Sequence, residues 1–448
     1  MIGTVLIANR GEIALRVART CRRLGLRTIA VHSTADRGAA VAELADETVC
    51  IGPPPAKASY LNIPAIIEAA HRTGADAIHP GYGFLSENAE FAEVCEEEGI
   101  VFVGPPAGLM RSLGDKATAR ELMSAQGLPL LPGSTSAVET VAGATELAGR
   151  IGYPLIVKAV AGGGGRGMRI VREAADLETA YRETRAAAQA VFGDGRVYIE
   201  RYLDSARHVE IQVLADGHGD AVHLGARDCS VQRRHQKLIE ETPVPGVDPA
   251  VVSAMGEAAV RAALGVGYVG AGTFEFLLDA ATGGYYFMEV NCRLQVEHPV
   301  TEMVTGLDLV AEQLRIAAGE RLGYGQADVA PRGCAIECRI NAEDPERGFT
   351  PTPGRIVEFS APGGPFVRVD THVHSEYRVP AAYDSLLAKV VVWAEDRPAA
   401  IGRMGTALAE TVVRGPGMAT TAAFLGRVLD EPAFATATHD TSLVGRLV

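Results

Sequence analysis

One segment of the chain alternates polar and apolar side chains, and this alternation constrains the fold more than any other feature. The segment runs from Tyr285 to Pro299 and opens with aromatic and β-branched residues, which favour a β-strand. In an extended chain, every second side chain lies on the same face. One face consists of Glu289, Asn291, Arg293, Gln295 and Glu297. The other face consists of Met288, Val290, Cys292, Leu294 and Val296, and we expect it to pack in the core.

The polar face of this segment carries two carboxylates, two amides and a guanidinium. Carboxylate and amide oxygens bind divalent cations, and a guanidinium binds small anions. The face therefore suits a metal ion and an anion side by side. An edge strand with one solvated face alternates in the same way, so the segment alone leaves both interpretations open.

Size and composition indicate an ordinary globular protein of several domains. A chain of 448 residues corresponds to about three domains of roughly 150 residues each. It is 47% hydrophobic and 22% charged, and we find neither a membrane span nor a signal peptide. The net charge of −13 argues against nucleic-acid binding. Seven scattered cysteines without a CxxC pair predict a reduced, cytoplasmic protein without structural zinc.

The first hundred residues alternate predicted strands and helices, which indicates an α/β domain with a parallel sheet. The loop after the first strand, Asn9–Glu12, lacks the G-x-G-x-x-G pattern, so we do not expect a dinucleotide site. Later segments contain predicted β-hairpins, so we expect an α/β protein that also has α+β elements. We predict domains at 1–104, 105–325 and 326–448, with a smaller mobile unit at about 132–203.

A glycine-rich loop joins two predicted strands in the smaller unit. Leu155–Lys158 precedes Gly162–Gly167, and Met168–Val171 follows. Closely spaced backbone N–H groups suit phosphate oxygens, although no Lys-Ser/Thr pair or helix follows as in a Walker A loop. The pattern predicts a flap that closes over a triphosphate, with Lys158 and Lys116 near the phosphates. A floppy hairpin without function is an equally good interpretation of the loop alone.

Three further segments carry polar groups in patterns that suit nucleotide binding. Val197–Leu203 is typical of a hinge whose backbone reads an adenine edge. His208, Glu210 and Gln212 alternate with aliphatic residues and share one strand face. The run from Asp228 to Lys237 is dense in cations within an acidic protein, which predicts anion ligands. A solvated charged loop has the same composition.

A predicted hairpin brings two glutamates together. The turn at 279–284 folds the strand of Glu275 back on the strand of Glu289. Two nearby carboxylates repel each other unless a cation lies between them. Mg²⁺ or Mn²⁺ binds through one or two carboxylates plus nucleotide phosphates, and Asn291 is a candidate third ligand.

These segments, taken in order, resemble the ATP-grasp enzymes and within them the biotin carboxylases. The resemblance covers nearly the whole chain. It rests on seven stretches: Ile7–Ala14, His79–Asn88, Gly162–Met168, Arg207–Leu214, Gln232–Lys237, Gln295–Glu302 and Glu337–Asp344.

The resemblance implies an ATP-grasp fold with a Rossmann-like N-terminal domain, a mobile glycine flap and a C-terminal biotin carboxylase domain. It implies that ATP, bicarbonate and biotin yield ADP, phosphate and N-carboxybiotin, with Mg²⁺ or Mn²⁺ as metal cofactor. The biotin is attached to a separate carrier protein. A carboxyltransferase uses the product, and the enzyme is a homodimer.

The resemblance also implies roles for individual residues. Those expected to contact ATP are Lys116, Lys158, Gly163, Gly164, Gly165, Met168, Glu200, Leu203, His208, Gln232, His235 and Leu277. Those expected to hold metal are Glu275, Glu289 and Asn291. Bicarbonate contacts Arg293, Gln295 and the Val296 backbone, and biotin contacts Tyr82, Gly83 and Arg339. The catalytic residues are Glu297 as general base, with Arg293, Arg339 and Lys237.

Several alternatives stay open at this stage. The resemblance favours the biotin carboxylase subunit of an acetyl-CoA or acyl-CoA carboxylase, because the chain contains no biotinyl-lysine signal. A split-subunit pyruvate carboxylase is the nearest competitor. Another ATP-grasp ligase shares Glu275 and Glu289 but does not need Glu297 and Arg339. A silent nucleotide-binding scaffold is the last alternative.

Overall fold

The structure is a computed structural model that describes residues 2–134, 136–161 and 167–448. It confirms the predicted mixed α/β class, with one parallel sheet and one large antiparallel sheet. Residues 162–166 of the predicted phosphate-binding loop, which include Gly163, Gly164 and Gly165, lie outside the described residues. No helix within the described ranges is long and apolar enough to cross a membrane.

The N-terminal unit is built on five parallel strands in the order β3-β2-β1-β4-β5. Its elements are β1 (Thr4–Ile7), α1 (Gly11–Arg23), β2 (Arg27–Ser33), α2 (Ala40–Leu44), β3 (Glu47–Gly52), α3 (Ile63–Thr73), β4 (Ala77–His79), α4 (Ala89–Glu97) and β5 (Val101–Phe102). The strand–helix alternation predicted here is confirmed, although we did not predict β3. Only Val49 and Ile51 of this edge strand are buried, so its apolar pattern is short.

Polar caps and glycines define the helix ends of this unit. Asn62 accepts a hydrogen bond from the Ala65 N–H at the start of α3, and Gly74 ends that helix in a left-handed conformation. Asn88 caps α4 in the same way. These local signals mark the starts of α3 and α4 in the sequence, whereas α1 and α2 begin without a side-chain cap.

A small three-stranded unit follows, and it carries four of the predicted ATP ligands, Lys116, Lys158, Met168 and Glu200. The elements are α5 (Ala107–Gly114), α6 (Lys116–Ala125), α7 (Val141–Ile151), β6 (Leu155–Ala159), β7 (Met168–Val171), α8 (Leu177–Phe192) and β8 (Val197–Arg201). The strand order is β7-β6-β8, and α7 and α8 pack on this sheet. The Asp115 side chain caps α6, which places Lys116 in the first helical turn.

An eight-stranded antiparallel sheet forms the centre of the molecule, in the order β13-β12-β9-β10-β11-β14-β21-β19. Five of its strands are β9 (Ala206–Ala215), β10 (Ala221–Arg233), β11 (Gln236–Thr242), β12 (Gly270–Asp279) and β13 (Tyr285–Asn291). The helices in this part of the chain are α9 (Pro249–Gly265), α10 (His298–Thr305) and α11 (Leu309–Ala317). The hairpin predicted at 279–284 is confirmed.

The C-terminal segment supplies the other strands of this sheet and a layer of helices. Its elements are β14 (Cys334–Asn341), β15 (Glu343–Asp344), β16 (Thr350–Pro351), β17 (Gly354–Arg355), β18 (Glu358–Ser360), β19 (Val367–Thr371), β20 (Arg378–Val379), β21 (Leu386–Ala394), α12 (Arg397–Glu410), β22 (Val412–Arg414), α13 (Ala422–Asp430), α14 (Pro432–Ala435) and α15 (Leu443–Leu447). Because β14 pairs with β11, the sheet continues across residue 325. The predicted domain boundaries stay predictions.

The prediction of one extended strand through residue 297 is wrong. The strand β13 ends at Asn291, and α10 begins at His298 with Pro299 in its first turn. Between them the backbone turns away from the ladder, because the Cys292 N–H donates to the Glu87 carboxylate at 3.0 Å. Glu289 and Asn291 therefore share a strand face, whereas residues 293–297 form an irregular segment.

Candidate active site

The Lys237 ammonium lies at the centre of the candidate site and touches three glutamates. Its Nζ is 2.6 Å from Oε2 of Glu210, 3.0 Å from Oε1 of Glu275 and 2.6 Å from Oε1 of Glu297. Glu275, Glu210 and Lys237 lie on strands β12, β9 and β11 of the large sheet, and Glu297 directly precedes α10. The four side chains are almost fully buried, so their charges interact in a medium that screens weakly.

The protonation of this centre follows from its mutual ion pairs. Burial by itself lowers the pKa of Lys237, but Cys229 and the three surrounding glutamates hold that pKa well above its usual value. Burial raises the pKa of Glu297, yet Lys237 and Arg339 together keep it well below the ordinary value. Glu297 is therefore an anion, which a general base requires.

Arg339 holds the other oxygen of Glu297. Its Nη2 lies 2.9 Å from Oε2 of Glu297 and also contacts Oε1 of Glu240. Burial raises the pKa of Glu240 to about 7, because Arg339 only partly offsets the loss of hydration. Arg339 projects from β14 toward the Lys237 centre, so a planar anion or a polarised carbonyl can meet both groups at once.

The predicted metal ligands lie on neighbouring strands. Glu275 and Glu289 are direct partners across the β12–β13 ladder. Asn291 donates from Nδ2 to Oε1 of Glu275 at 2.8 Å, and Glu289 lies 3.1 Å from Lys116. Two carboxylates and an amide oxygen at the edge of a phosphate-binding site suit Mg²⁺ or Mn²⁺. The donor set therefore fits the predicted ion.

A histidine joins this acidic group from β9. Nε2 of His208 lies 2.9 Å from Oε2 of Glu275. Ligand atoms of His208, Glu210 and Glu275 all lie within 4.8 Å of one another, which makes them a second possible cation site. Burial lowers the pKa of His208, but Glu275 outweighs it and the net shift is upward. A cationic His208 suits an anionic ligand better than a metal ion.

The other predicted ATP ligands on the large sheet lie near His208. Nε2 of Gln232 lies 3.2 Å from Nδ1 of His208, and Leu277 pairs with His208 across the β9–β12 ladder. His235 lies at the exposed tip of the β10–β11 hairpin with a left-handed φ of 66°. Burial and the nearby cations Lys158 and His208 lower the pKa of His235. The predicted residues thus line one surface.

The remaining predicted ATP residues belong to the three-stranded unit. Lys158 contacts the Glu200 carboxylate, and Met168 pairs with Lys158 across the β6–β7 ladder. Lys158 and Arg120 lower the pKa of Glu200 below its usual value despite burial, which raises it. Leu203 follows β8 and is half-buried. The Glu200 side chain is thus paired with Lys158, which is a predicted phosphate ligand.

The predicted bicarbonate residues form a connected group in the irregular segment. Arg293 donates from Nη1 to Oε1 of Gln295 at 2.8 Å and from Nη2 to Oδ1 of Asn291 at 3.2 Å. Its Nε donates to Oε2 of Glu87 at 2.8 Å. Val296 follows directly and is half-buried. One guanidinium therefore organises this segment and ties it to the N-terminal unit.

Two of the predicted biotin residues, Tyr82 and Gly83, lie in the turn after β4, whereas the third, Arg339, lies on β14. Tyr82 is half-buried and Gly83 is exposed, with a left-handed φ of 68° that favours glycine. The Tyr82 hydroxyl donates to Oε1 of Glu12, and the Tyr82 carbonyl accepts from Asn9 at 2.8 Å. Burial raises the pKa of Glu12, although Lys389 opposes the shift.

Sequence reasoning missed several buried charges that support this site. Arg227 is completely buried and donates to Glu210 at 2.5 Å and to Gln212 at 2.8 Å. The sequence carries no clear signal for this role, because Arg227 lies beside Asp228 in a strand that carries several other polar residues. Arg120, Glu87 and Lys389 were also missed as supporting groups, because each acts on residues far away in sequence.

The comparisons with known proteins cover the whole chain. Models described as "Biotin carboxylase, N-terminal domain", "Carbamoyl-phosphate synthase L chain, ATP binding domain" and "Biotin carboxylase C-terminal domain" match residues 1–110, 115–324 and 337–446. A biotin carboxylase from a Nostoc species is 54% identical over 98% of each chain. The chain belongs to the biotin carboxylase family. It is an ATP-grasp ligase that carboxylates biotin with bicarbonate at the expense of ATP.

Solved structures of biotin carboxylases share the whole fold. The Campylobacter jejuni biotin carboxylase, solved as a β,γ-ATP complex, is 47% identical, with a TM-score of 0.96 over 100% of this chain and 99% of that one. The biotin carboxylase domain of Hydrogenobacter thermophilus 2-oxoglutarate carboxylase, solved with MgADP, ADP and bicarbonate, is 44% identical, with a TM-score of 0.95 and coverage of 100% and 98%. These matches confirm the ATP-grasp fold.

Proposed function

We propose that the Lys237 centre is where bicarbonate attacks the γ-phosphoryl group of ATP and where carboxyphosphate transfers its carboxyl group to biotin. The observation that supports this most is the Glu297 carboxylate, held between Lys237 and Arg339 at 2.6 and 2.9 Å. A buried anionic carboxylate flanked by two cations suits a base whose substrates are themselves anions.

ATP binds against His208, Gln232, His235 and Leu277 on the large sheet, with Lys116 and Lys158 at its phosphates. Glu200 and Leu203 hold the adenine end through their backbone. Met168 and the glycines of the flap, Gly163, Gly164 and Gly165, close over the phosphates. Lys116 and Lys158 now contact Glu289 and Glu200, so ATP binding exchanges carboxylate partners for phosphate partners.

Glu275, Glu289 and Asn291 hold Mg²⁺ or Mn²⁺ with the nucleotide. A bound ion would supply positive charge that neutralises the phosphate oxygens during transfer of the γ-phosphoryl group. It would also offset the repulsion between the Glu275 and Glu289 carboxylates, which are partners across the β12–β13 ladder. Release of Glu289 from Lys116 supplies the charge that the ion requires.

Bicarbonate lies on Arg293, Gln295 and the Val296 N–H, and Glu297 removes its proton. The bicarbonate oxygen then attacks phosphorus, the bond to ADP breaks, and carboxyphosphate forms. While Lys237 pairs with Glu297 the pKa of that carboxyl is held down, so the carboxylate is a weak base. When Lys237 turns to the γ-phosphate, Glu297 loses one cation and becomes a stronger base.

Carboxyphosphate yields CO₂ and phosphate, and the phosphate takes the proton from N1′ of biotin. The ureido ring lies on Tyr82 and Gly83, and Arg339 stabilises its enolate-like oxygen through a charge-assisted hydrogen bond. The N1′ nitrogen then attacks CO₂ and forms N-carboxybiotin. Exclusion of water by the flap protects carboxyphosphate from hydrolysis.

The biotin substrate is carried on a biotin carboxyl carrier protein, and a carboxyltransferase moves the carboxyl group onward. We propose an acetyl-CoA or acyl-CoA carboxylase as the complete enzyme, located in the cytoplasm, with this chain as a homodimer. A split pyruvate carboxylase stays the alternative. The match to a 2-oxoglutarate carboxylase domain illustrates that one fold serves different acceptors.

We also propose that the domains of the chain extend over residues 1–104, 105–325 and 326–448.

The test is ATP cleavage by the purified full chain, measured with and without bicarbonate and with and without free biotin. We expect cleavage to need bicarbonate and to rise when biotin is added. Cleavage that ignores both substrates would remove the proposed function.

A further inference from the structure

A fully buried ammonium lies directly behind the active site and has no role in the steps above. Nζ of Lys389 donates to the Val296 carbonyl at 2.8 Å and lies 3.1 Å from Oε1 of Glu12. The side chains of Lys389 and Glu12 are 0% and 2% exposed. A buried charge is costly to keep unless it is well paired, so these contacts determine where the ammonium lies.

One end of this arrangement reaches the proposed biotin site. The Tyr82 hydroxyl donates to the same Glu12 oxygen that faces Lys389. The Lys389 ammonium also lies 5.7 Å from the centre of the Tyr82 ring, within the range of a cation–π interaction. Tyr82, Glu12 and Lys389 therefore form one connected group, which we name the Lys389 bridge.

The other end reaches the proposed base. The Val296 carbonyl belongs to the peptide that joins Val296 to Glu297. Because a peptide unit is planar, holding its oxygen also fixes the position of the Glu297 Cα atom. The same ammonium thus contacts the segment that carries bicarbonate and base, and the group that supports biotin.

The sheet places Lys389 beside a second active-site cation. Lys389 on β21 is the direct partner of Arg339 on β14 and of Asp370 on β19. Directly opposed residues of neighbouring strands project from the same face. Lys389 and Arg339 therefore both approach residues 296–297, one through the backbone and one through the Glu297 carboxylate.

We propose that Lys389 is a positioning residue that sets the biotin and bicarbonate subsites at a fixed distance from each other. It acts through Glu12 on Tyr82 and through the Val296 carbonyl on Glu297. This role rests on the proposed function of those residues. Loss of the ammonium frees the Val296–Glu297 peptide and the Tyr82 ring but leaves the ATP ligands in place.

The experiment compares Lys389→Met with the double variant Glu12→Gln/Lys389→Met. The single variant leaves Glu12 buried without its cation, whereas the double variant also removes the Glu12 charge and should regain stability. Neither variant has a donor for the Val296 carbonyl. Arg397→Met is the matched control, because Arg397 is a mostly buried cation paired with Glu241 at 2.6 Å outside these subsites.

We expect at least a tenfold rise in the KM values of bicarbonate and free biotin in both Lys389 variants, with an unchanged KM for ATP. Stability should recover in the double variant while the KM values do not. Arg397→Met should lose stability without either KM change. Lys389→Arg, which keeps a cationic donor, should restore part of the loss.

Two results would overturn the proposed role. One is a double variant whose KM values return to the wild-type level together with its stability, because Lys389 then acts through folding alone. The other is a folded Lys389→Met variant with wild-type KM values. A wild-type chain that shows no bicarbonate-dependent ATP cleavage overturns the proposed function itself, and with it this role.

Discussion

Nζ of Lys237 lies 2.6 Å from Oε1 of Glu297, so the proposed base is paired with a buried cation that also contacts Glu275, a proposed metal ligand. This pair links the two reactants. A cation that moves toward the γ-phosphate releases the carboxylate that activates bicarbonate. We therefore propose that the base becomes effective when ATP is bound, which would limit unproductive proton transfer.

Glu297→Gln tests this role. The amide keeps the size of the side chain but cannot accept a proton, so we expect turnover to fall by about 10²- to 10⁴-fold. ATP binding, measured by titration calorimetry, should not change. Glu257→Gln, an exposed glutamate on α9, is the control. Turnover within a few-fold of wild type would remove Glu297 from the role of base.

Glu87→Ala tests the anchoring of the bicarbonate arginine. Glu87 accepts from Nε of Arg293 at 2.8 Å and from the Cys292 N–H at 3.0 Å. Loss of both bonds frees Arg293, and we expect the KM of bicarbonate to rise by about tenfold while the KM of ATP stays constant. Steady-state kinetics measures both.

The control for Glu87→Ala lies in the adjoining helix. Glu93 forms an exposed ion pair with Arg111 at 2.6 Å, and neither residue is among the predicted site residues. Glu93→Ala should leave both KM values unchanged, because exposed pairs contribute little. An equal rise in the KM of bicarbonate in both variants contradicts a specific role for Glu87.

Arg227→Met tests the buried cation behind Glu210. Removal of the guanidinium leaves Glu210 buried with Lys237 as its one remaining cationic contact, which should cost about 3–5 kcal/mol of unfolding free energy. The double variant Arg227→Met/Glu210→Gln should recover part of that loss. Urea unfolding monitored by circular dichroism gives the comparison. Equal stability of the single and double variants contradicts the pairing.

The buried histidine at the end of β4 predicts a pH dependence of stability. Burial lowers the pKa of His79 to about 4, and its Nδ1 accepts the Gly81 N–H at 3.0 Å. The unfolded chain therefore binds more protons between about pH 6.5 and 4, so stability falls as the pH drops through that window. Between pH 7 and 5 the protonation of His79 in the unfolded chain lowers the free energy of unfolding by about 2 kcal/mol.

His79→Asn isolates that contribution. An asparagine oxygen can accept a hydrogen bond from the Gly81 N–H but does not titrate. Between pH 7 and 5 the free energy of unfolding should therefore fall by about 2 kcal/mol less in the variant than in wild type. Urea midpoints at the two pH values measure the difference. Parallel losses in both proteins would mean that His79 is not the titrating group.

Local patterns explain what was predictable in the sequence. The turn at 279–284 is short and rich in turn residues, and it determines that Glu275 faces Glu289. The alternation of polar and apolar residues predicted the strand wrongly beyond Asn291, because the contact between Cys292 and Glu87 joins residues 205 positions apart. A local sequence pattern does not indicate such a contact, so the predicted strand extended past its true end.

The supporting charges were hidden for the same reason. Lys389 has the sequence context of an ordinary buried strand, and its partner Val296 lies 93 positions away. Arg227 likewise meets Thr301 across 74 positions. The motifs that carry chemistry were recognisable because their residues are close in sequence, whereas the groups that orient them depend on the packing of separate elements.

Transfer of labelled carbon from bicarbonate to biotin tests the central claim most directly. The full chain is incubated with ATP, Mg²⁺, free biotin and ¹³C-bicarbonate, and carboxybiotin and the ADP formed in excess of a biotin-free control are quantified together. The account predicts labelled carboxybiotin in proportion to that additional ADP, and none with Glu297→Gln. ADP formation that biotin stimulates without any labelled biotin would contradict it.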